Sequence, residues 1–242
     1  IPLSDSRYGT ASSEFEGGYK LSNLRVGNQT TTPSYKVVDT RMRLDLATPL
    51  KANGGQISFS MDFEFSIPEY GADRMGILPT QNGKIYAVAQ WYPRVAVFDD
   101  IQGWNTLPYT GPGEFYLEFG DYHVEITAPS NHVVVMGGEL LNPSEVWTPT
   151  QLERYSEAHK SNKTVLIRSE AEVSGKKDRP IGKNLTWKFK LSNAHDIAWA
   201  SSPAFIVDGA KINLPSGKTA LALSAYPYES NGGNAWERST EY

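Results

Sequence analysis

The residues best equipped for chemistry are carboxylates. Asp99 and Asp100 are adjacent, and Glu114 and Glu118 follow on an aromatic segment. Two carboxylates flanking a bond are the apparatus of glycoside hydrolysis. Neighbours on a strand point to opposite faces, so Asp99 and Asp100 flank one bond only if the backbone turns there. The competing assignment is structural: one aspartate caps the loop Ile101-Gln102-Gly103 and the other pairs with Arg94. The histidines are His123, His132, His159 and His195. None are four apart and no H-E-x-x-H occurs, so a zinc site made by this chain is not expected. No G-x-S-x-G elbow is present for a serine nucleophile. With 0 cysteines there is no disulfide, thiolate metal site or cysteine nucleophile.

An amide and a cation sit close by, in Ala87-Val88-Ala89-Gln90-Trp91-Tyr92-Pro93-Arg94-Val95-Ala96-Val97-Phe98-Asp99-Asp100. The run is apolar enough for a core. Pro93 removes a backbone donor, so a central strand cannot pass straight through it. The expected path is a strand up to Gln90, a bend, and an exit through Val95–Phe98. Such a bend between buried segments can aim polar side chains at a neighbour or ligand.

The elements that must position this bend belong to an all-β chain. Its 242 residues are 39% hydrophobic and 12% aromatic, with 21 Gly and 15 Pro to supply turns. The net charge of −4 gives no electrostatic case for nucleic acid. No run reaches transmembrane length. Ile1-Pro2-Leu3-Ser4-Asp5 lacks the basic start and apolar core expected of a signal peptide.

Residues 1–35 read as an irregular segment. Val38, Thr40, Met42, Leu44 and Leu46 alternate with charged residues as one half-buried strand. Ile57, Phe59, Met61, Phe63, Phe65 and Ile67 give the cleanest alternation, with register set by the apolar face. Pro68 through Lys84 reads as a long loop, and Gly103 through Gly113 as another. Further strands are expected at Phe115–Phe119, Tyr122–Thr127, Val133–Met136, Thr164–Glu172, Leu185–Leu191, Ala204–Val207 and Thr219–Tyr226. Turns are expected at Asp208-Gly209 and Pro215-Ser216-Gly217. One helix is credible, from about Pro149 to His159, with Thr148 as cap, Pro149 at the first position and Gln151 completing a capping box. Residues 36–226 form the expected β-domain and 227–242 a tail. The expected architecture is saddle-like packed curved sheets, or a β-sandwich, with one short helix near 149–159.

The stretch Gln90-Trp91-Tyr92-Pro93-Arg94-Val95-Ala96-Val97-Phe98-Asp99-Asp100 resembles the amino-terminal β-domain of M1 zinc aminopeptidases, in a bacterial branch. Gly103-Trp104-Asn105, Gly113-Glu114-Phe115-Tyr116-Leu117-Glu118-Phe119-Gly120-Asp121 and Gly137-Gly138-Glu139-Leu140-Leu141-Asn142-Pro143 extend the likeness. So does Trp187-Lys188-Phe189 through Asp196-Ile197-Ala198-Trp199-Ala200. The likeness spans roughly residues 36–242.

The resemblance implies a non-catalytic domain packing beside a thermolysin-like catalytic domain, with family strands preceding Ile1 and the tail leading into that second domain. Zinc, its ligands and the general-base glutamate are implied there, outside this chain. Export to the periplasm is a further implication. By the same resemblance Gln90 helps bind the free α-amino group of a peptide substrate. A neutral amide can accept a hydrogen bond from an ammonium and needs no counter-charge when the site is empty. Arg94 is read as structural, clamped by Asp100 or Asp99. The reading of another class is a carbohydrate-binding sandwich that stacks sugars on Trp91, Trp104 and Tyr109.

Overall fold

A computed structural model describes residues 17–29, 32–69, 74–108, 114–176, 178–179, 182–231 and 236–241. The strands in chain order begin with β1 (Lys20–Val26), β2 (Tyr35–Val38), β3 (Arg41–Leu44) and β4 (Phe59–Glu64). Next come β5 (Met75–Thr80), β6 (Gly83–Val88), β7 (Phe98–Asp99), β8 (Gly103–Trp104), β9 (Gly120–Pro129), β10 (Val133–Met136) and β11 (Glu139–Leu140). The helices are α1 (Pro143–Val146), α2 (Pro149–Ala158) and α3 (Glu170–Gly175). The remaining strands are β12 (Val165–Arg168), β13 (Asn184–Ala194), β14 (Trp199–Ser202), β15 (Ile206–Asn213) and β16 (Thr219–Tyr226). The fold is all-β with short helices. The described residues divide into two compact units, one of 67–91 with 119–241 and one of 17–66 with 92–118.

The larger unit holds three antiparallel sheets, ordered β10-β14-β6-β5, β11-β13-β9 and β12-β15-β16. Its longest pairing joins β9 to β13, from Asn184↔Pro129 to Leu191↔Tyr122 and on to Ala194↔Gly120 past a bulge. Val124, Ile126, Ala128, Trp187 and Phe189 are buried along it. Helix α2 forms where its cap signals place it. Thr148 Oγ1 accepts from the Gln151 N–H, and the Gln151 side chain reaches back to the cap. Ser169 and Glu172 make a second capping box that starts α3 inside the segment expected to continue as a strand.

The smaller unit pairs β1 with β4, β2 with β3 and β7 with β8. Tyr19 meets Phe63 and Phe65 edge-on, both at 5.7 Å. The alternation of β4 holds, with Met61 and Phe63 half-buried between exposed neighbours.

Several expectations are corrected. β1 lies within the segment expected to be irregular. Its period of two is interrupted by a bulge between Ser22 and Arg25, where Asn23 takes φ 52°. The run from Val38 to Leu46 is a hairpin rather than one strand. Asp39 at φ 53° turns the chain, and Val37 faces Met42. Pro68 through Lys84 contains the β5–β6 hairpin. Pro79 is tolerated there because β5 is an edge strand. Phe115–Phe119 forms no strand. Asp208 and Gly209 do not turn the chain but lie inside β15, opposite Ser224 and Leu223. The Pro215-Ser216-Gly217 turn is present, with Gly217 at φ 79°. Trp236–Glu241 is a 3-10 helix.

Candidate functional site

β6 ends where the sequence breaks. Val88 is buried and pairs with Trp199 on one side and Met75 on the other. The Ala89 N–H still donates to the Arg74 carbonyl at 3.1 Å. Gln90 then adopts φ 54° and is half-buried. Trp91 is fixed beyond it: its Nε1 donates to the Ile197 carbonyl at 3.3 Å, and its ring meets Trp199 edge-on at 6.2 Å. Gln90 is thus bracketed by a backbone bond on one side and an anchored indole on the other. The chain passes from one unit to the other between Trp91 and Tyr92.

That backbone conformation distinguishes Gln90. Among the described residues the other non-glycine positive-φ positions are Asn23, Asp39, Asn53, Asn193 and Lys176. Four are Asn or Asp, which tolerate the left-handed region. Asn23 and Asn193 serve bulges, and Lys176 caps α3. Gln90 serves neither a bulge nor a helix end.

Arg94 belongs to the smaller unit. Its guanidinium lies 5.3 Å from the Tyr92 ring centroid and 5.7 Å from that of Phe115. Burial raises the pKa of Tyr19, and the Arg94 charge partly offsets this. Asp99 caps its turn, as one of the two readings of the aspartate pair has it. Its Oδ1 accepts from the N–H groups of Gln102 at 2.7 Å and Ile101 at 3.0 Å, and Oδ2 accepts from Asn105 Nδ2 at 2.8 Å. The Gln102 bond, then that of Asn105, holds the Asp99 carboxyl below the usual range. A carboxylate whose two oxygens are taken up by donors of its own turn is placed to cap that turn rather than to reach a substrate. Asp100 is exposed in the same turn.

Phe98 and Trp104 stand edge-on at 5.1 Å, both well exposed. Tyr109 lies outside the described residues, as do residues 1–16, 232–235 and 242.

The histidines are used separately. His132 Nδ1 and Ser201 Oγ are 2.9 Å apart, and burial, with Arg168 and Arg179 nearby, lowers the pKa of this imidazole. His159 stands edge-on to Tyr155 at 4.7 Å, and the His195 ring lies 3.7 Å from that of Phe119. No group of three or more His, Asp or Glu among the described residues could hold a metal ion.

Two polar centres escaped the sequence reading. Arg168, 2% exposed, forks onto Asp178 with Nε–Oδ2 at 2.7 Å and Nη2–Oδ1 at 3.2 Å. Its Nη1 donates to the carbonyls of Pro203 and Phe205. Gln151 links Asp178 to Arg179, donating to the first at 2.9 Å and accepting from the second at 3.2 Å. Desolvation brings the Arg179 pKa down to about 10. In the second centre, buried Asp208 accepts from Tyr226 Oη at 2.8 Å and from Thr240. The available signals were the S-x-x-E at Ser169–Glu172 and an aspartate inside the apolar run Phe205–Ala210. No protein-family model matches this chain, nor does any curated protein or solved structure.

Proposed function

We propose that this chain is the non-catalytic β-domain of an M1-type zinc aminopeptidase, and that Gln90 receives the free α-amino group of the peptide substrate. The observation that carries this is the left-handed, half-buried Gln90 between the Ala89 bond and the Trp91 anchor. A non-glycine residue held in that region costs about 1–2 kcal/mol, and such strain gathers at ligand sites. The amide oxygen accepts from the ammonium, which orients the peptide by its first residue. Zinc supplies the hydrolytic chemistry from a catalytic domain outside this chain, which also covers exposed apolar side chains such as Val95, Ile101 and Leu107.

The test is steady-state kinetics of the parent peptidase carrying Gln90→Gly, which keeps the backbone conformation and removes the amide. A hydrogen bond to a charged group is worth about 1.5–3 kcal/mol, so KM for a free-amine substrate should rise about 10–100-fold. Unchanged KM would refute the role of Gln90. Zinc-dependent turnover by this chain alone would refute the domain assignment.

Carbohydrate stacking has one observation in its favour, the exposed Phe98–Trp104 pair. Trp91 is committed to Ile197 and Trp199 instead. A glycan screen with Trp104→Ala as control decides between the readings: binding lost in the variant favours stacking.

A further inference from the structure

Among the described residues β9 is the outer strand of its sheet, in the order β11-β13-β9. The Ser130 N–H donates to the Lys183 carbonyl at 2.8 Å, so the even positions Tyr122, Val124, Ile126 and Ala128 direct their backbone groups at β13. The Lys188 carbonyl instead accepts from Leu141 on the far side of β13, which gives the same parity. Asp121, His123, Glu125 and Thr127 therefore turn their N–H and C=O groups outward. None of the four makes a backbone bond outside the ladders among the described residues. Their side chains are exposed, while Val124, Ile126 and Ala128 are buried beneath them.

The other edges in this unit are blunted, as edges of natural sheets usually are. β5 carries Pro79, and its Ile77 N–H already donates to the Pro68 carbonyl. β12 has 4 residues and a bulge between Leu166 and Arg168. β16 receives the 3-10 helix Trp236–Glu241 through Ser224 and Thr240. β11 has 2 residues and β10 has 4. By contrast β9 runs for 10 residues with no proline before Pro129.

We propose that β9 is a self-pairing edge, joining antiparallel to β9 of a second copy about a two-fold axis at Val124. Charge chooses both the occupant and the register. With Val124 opposite Val124, His123 faces Glu125 of the second copy twice over, and Asp121 faces Thr127. The neighbouring registers of the same parity set Asp121 against Glu125, or Glu125 against Glu125, and like charges directly opposite are destabilising. Lys190 pairs with His123, and Lys188 with Glu125, in the existing ladder. The exposed face would thus read Lys190, His123, then Glu125 and Lys188 of the second copy, with the carboxylate flanked by donors. Outward pairing adds about eight N–H···O bonds in all.

The test is sedimentation equilibrium of the 242-residue chain at up to roughly 100 µM, a range suited to an interface of modest area. A species of twice 26.8 kDa is expected. Glu125→Lys and His123→Glu should each weaken association by about tenfold, since two facing pairs are reversed. The double variant His123→Glu/Glu125→Lys should restore it, because opposite charges face each other again. Circular dichroism and melting of the variants report whether the monomer fold is kept. A chain that stays monomeric throughout, or a dimer indifferent to all three variants, overturns the proposal.

Discussion

Removing the Asp178 carboxylate is the most demanding test of how the larger unit is held together. The Arg168 and Asp178 side chains are 3% and 8% exposed. Asp178→Ala leaves Nε and Nη2 of Arg168 without their acceptor, while Nη1 stays tied to Pro203 and Phe205 and keeps the charge inside. Gln151 Nε2 loses its acceptor as well. Breaking a buried pair from one side costs about 3–5 kcal/mol, because an uncompensated charge remains. At about 2–4 °C per kcal/mol for a chain of this size, the melting midpoint should fall by roughly 10 °C. A contact of similar length on the surface sets the scale. Arg43 and Asp45 are 2.9 Å apart but 81% and 51% exposed, so Asp45→Ala should cost no more than about 0.5 kcal/mol. Replacing both buried partners with apolar residues should not recover the loss, since the Pro203 and Phe205 carbonyls would be orphaned. Urea unfolding followed by tryptophan fluorescence and circular dichroism measures the difference, provided the slope is unchanged. A loss below about 1 kcal/mol for Asp178→Ala would refute the reasoning, because it would mean that water reaches the pair.

Two further perturbations address the backbone and pH. Burial raises the Asp208 pKa in the folded chain, an effect opposed by the bonds from Thr240 and Tyr226 and reinforced by Glu241. A folded value above the unfolded one, near 3.9, means that stability from this group is full below that pH and falls as pH rises through the folded value. Asp208→Asn should flatten the fall in urea midpoint between pH 4 and neutrality relative to the parent, and an unchanged slope would sink the assignment. Gly138 holds φ 99°, and a methyl there would meet the Lys190 carbonyl, whereas a methyl at Gly137 meets nothing within 4 Å. Gly138→Ala should therefore lose at least about 2 kcal/mol, and Gly137→Ala should stay within about 0.5 kcal/mol, in the same unfolding assay. Equal effects at the two positions would contradict the geometry.

What the sequence made legible was local. Thr148, Pro149 and Gln151 specify a helix within four residues, and α2 begins there. β16 spans Thr219–Tyr226 as its alternation suggests, and Asp99 caps its loop through donors two to six residues away. What failed had an identifiable physical cause. β1 hides behind a bulge that breaks its period. A two-residue turn at Asp39 swaps the face of the apolar residues, so a hairpin imitates one strand. Asp208-Gly209 looks like a turn because its composition is that of turns, yet Tyr226 and Thr240 satisfy the aspartate inside the sheet. The Arg168–Asp178–Gln151–Arg179 network joins residues whose partners lie up to 49 positions away, where no window of sequence contains both ends.

These departures from local rules also separate structure from function. At Asp178 and Asp208 a charge is taken out of water, and named partners within the same unit compensate it. Each carboxylate is used up by the fold, and its burial points to stability. At Gln90 the departure is one of backbone, and the compensation falls on its neighbours: Ala89 is held by Arg74, and Trp91 by Ile197 and Trp199. If the conformation served only to end β6, glycine would do so with less strain, and Gln90→Gly would change nothing but stability, in its favour. Under the proposed role of Gln90 the two outcomes separate: a side chain that serves substrate registers its replacement in KM, and one that serves only the fold registers it in the unfolding midpoint.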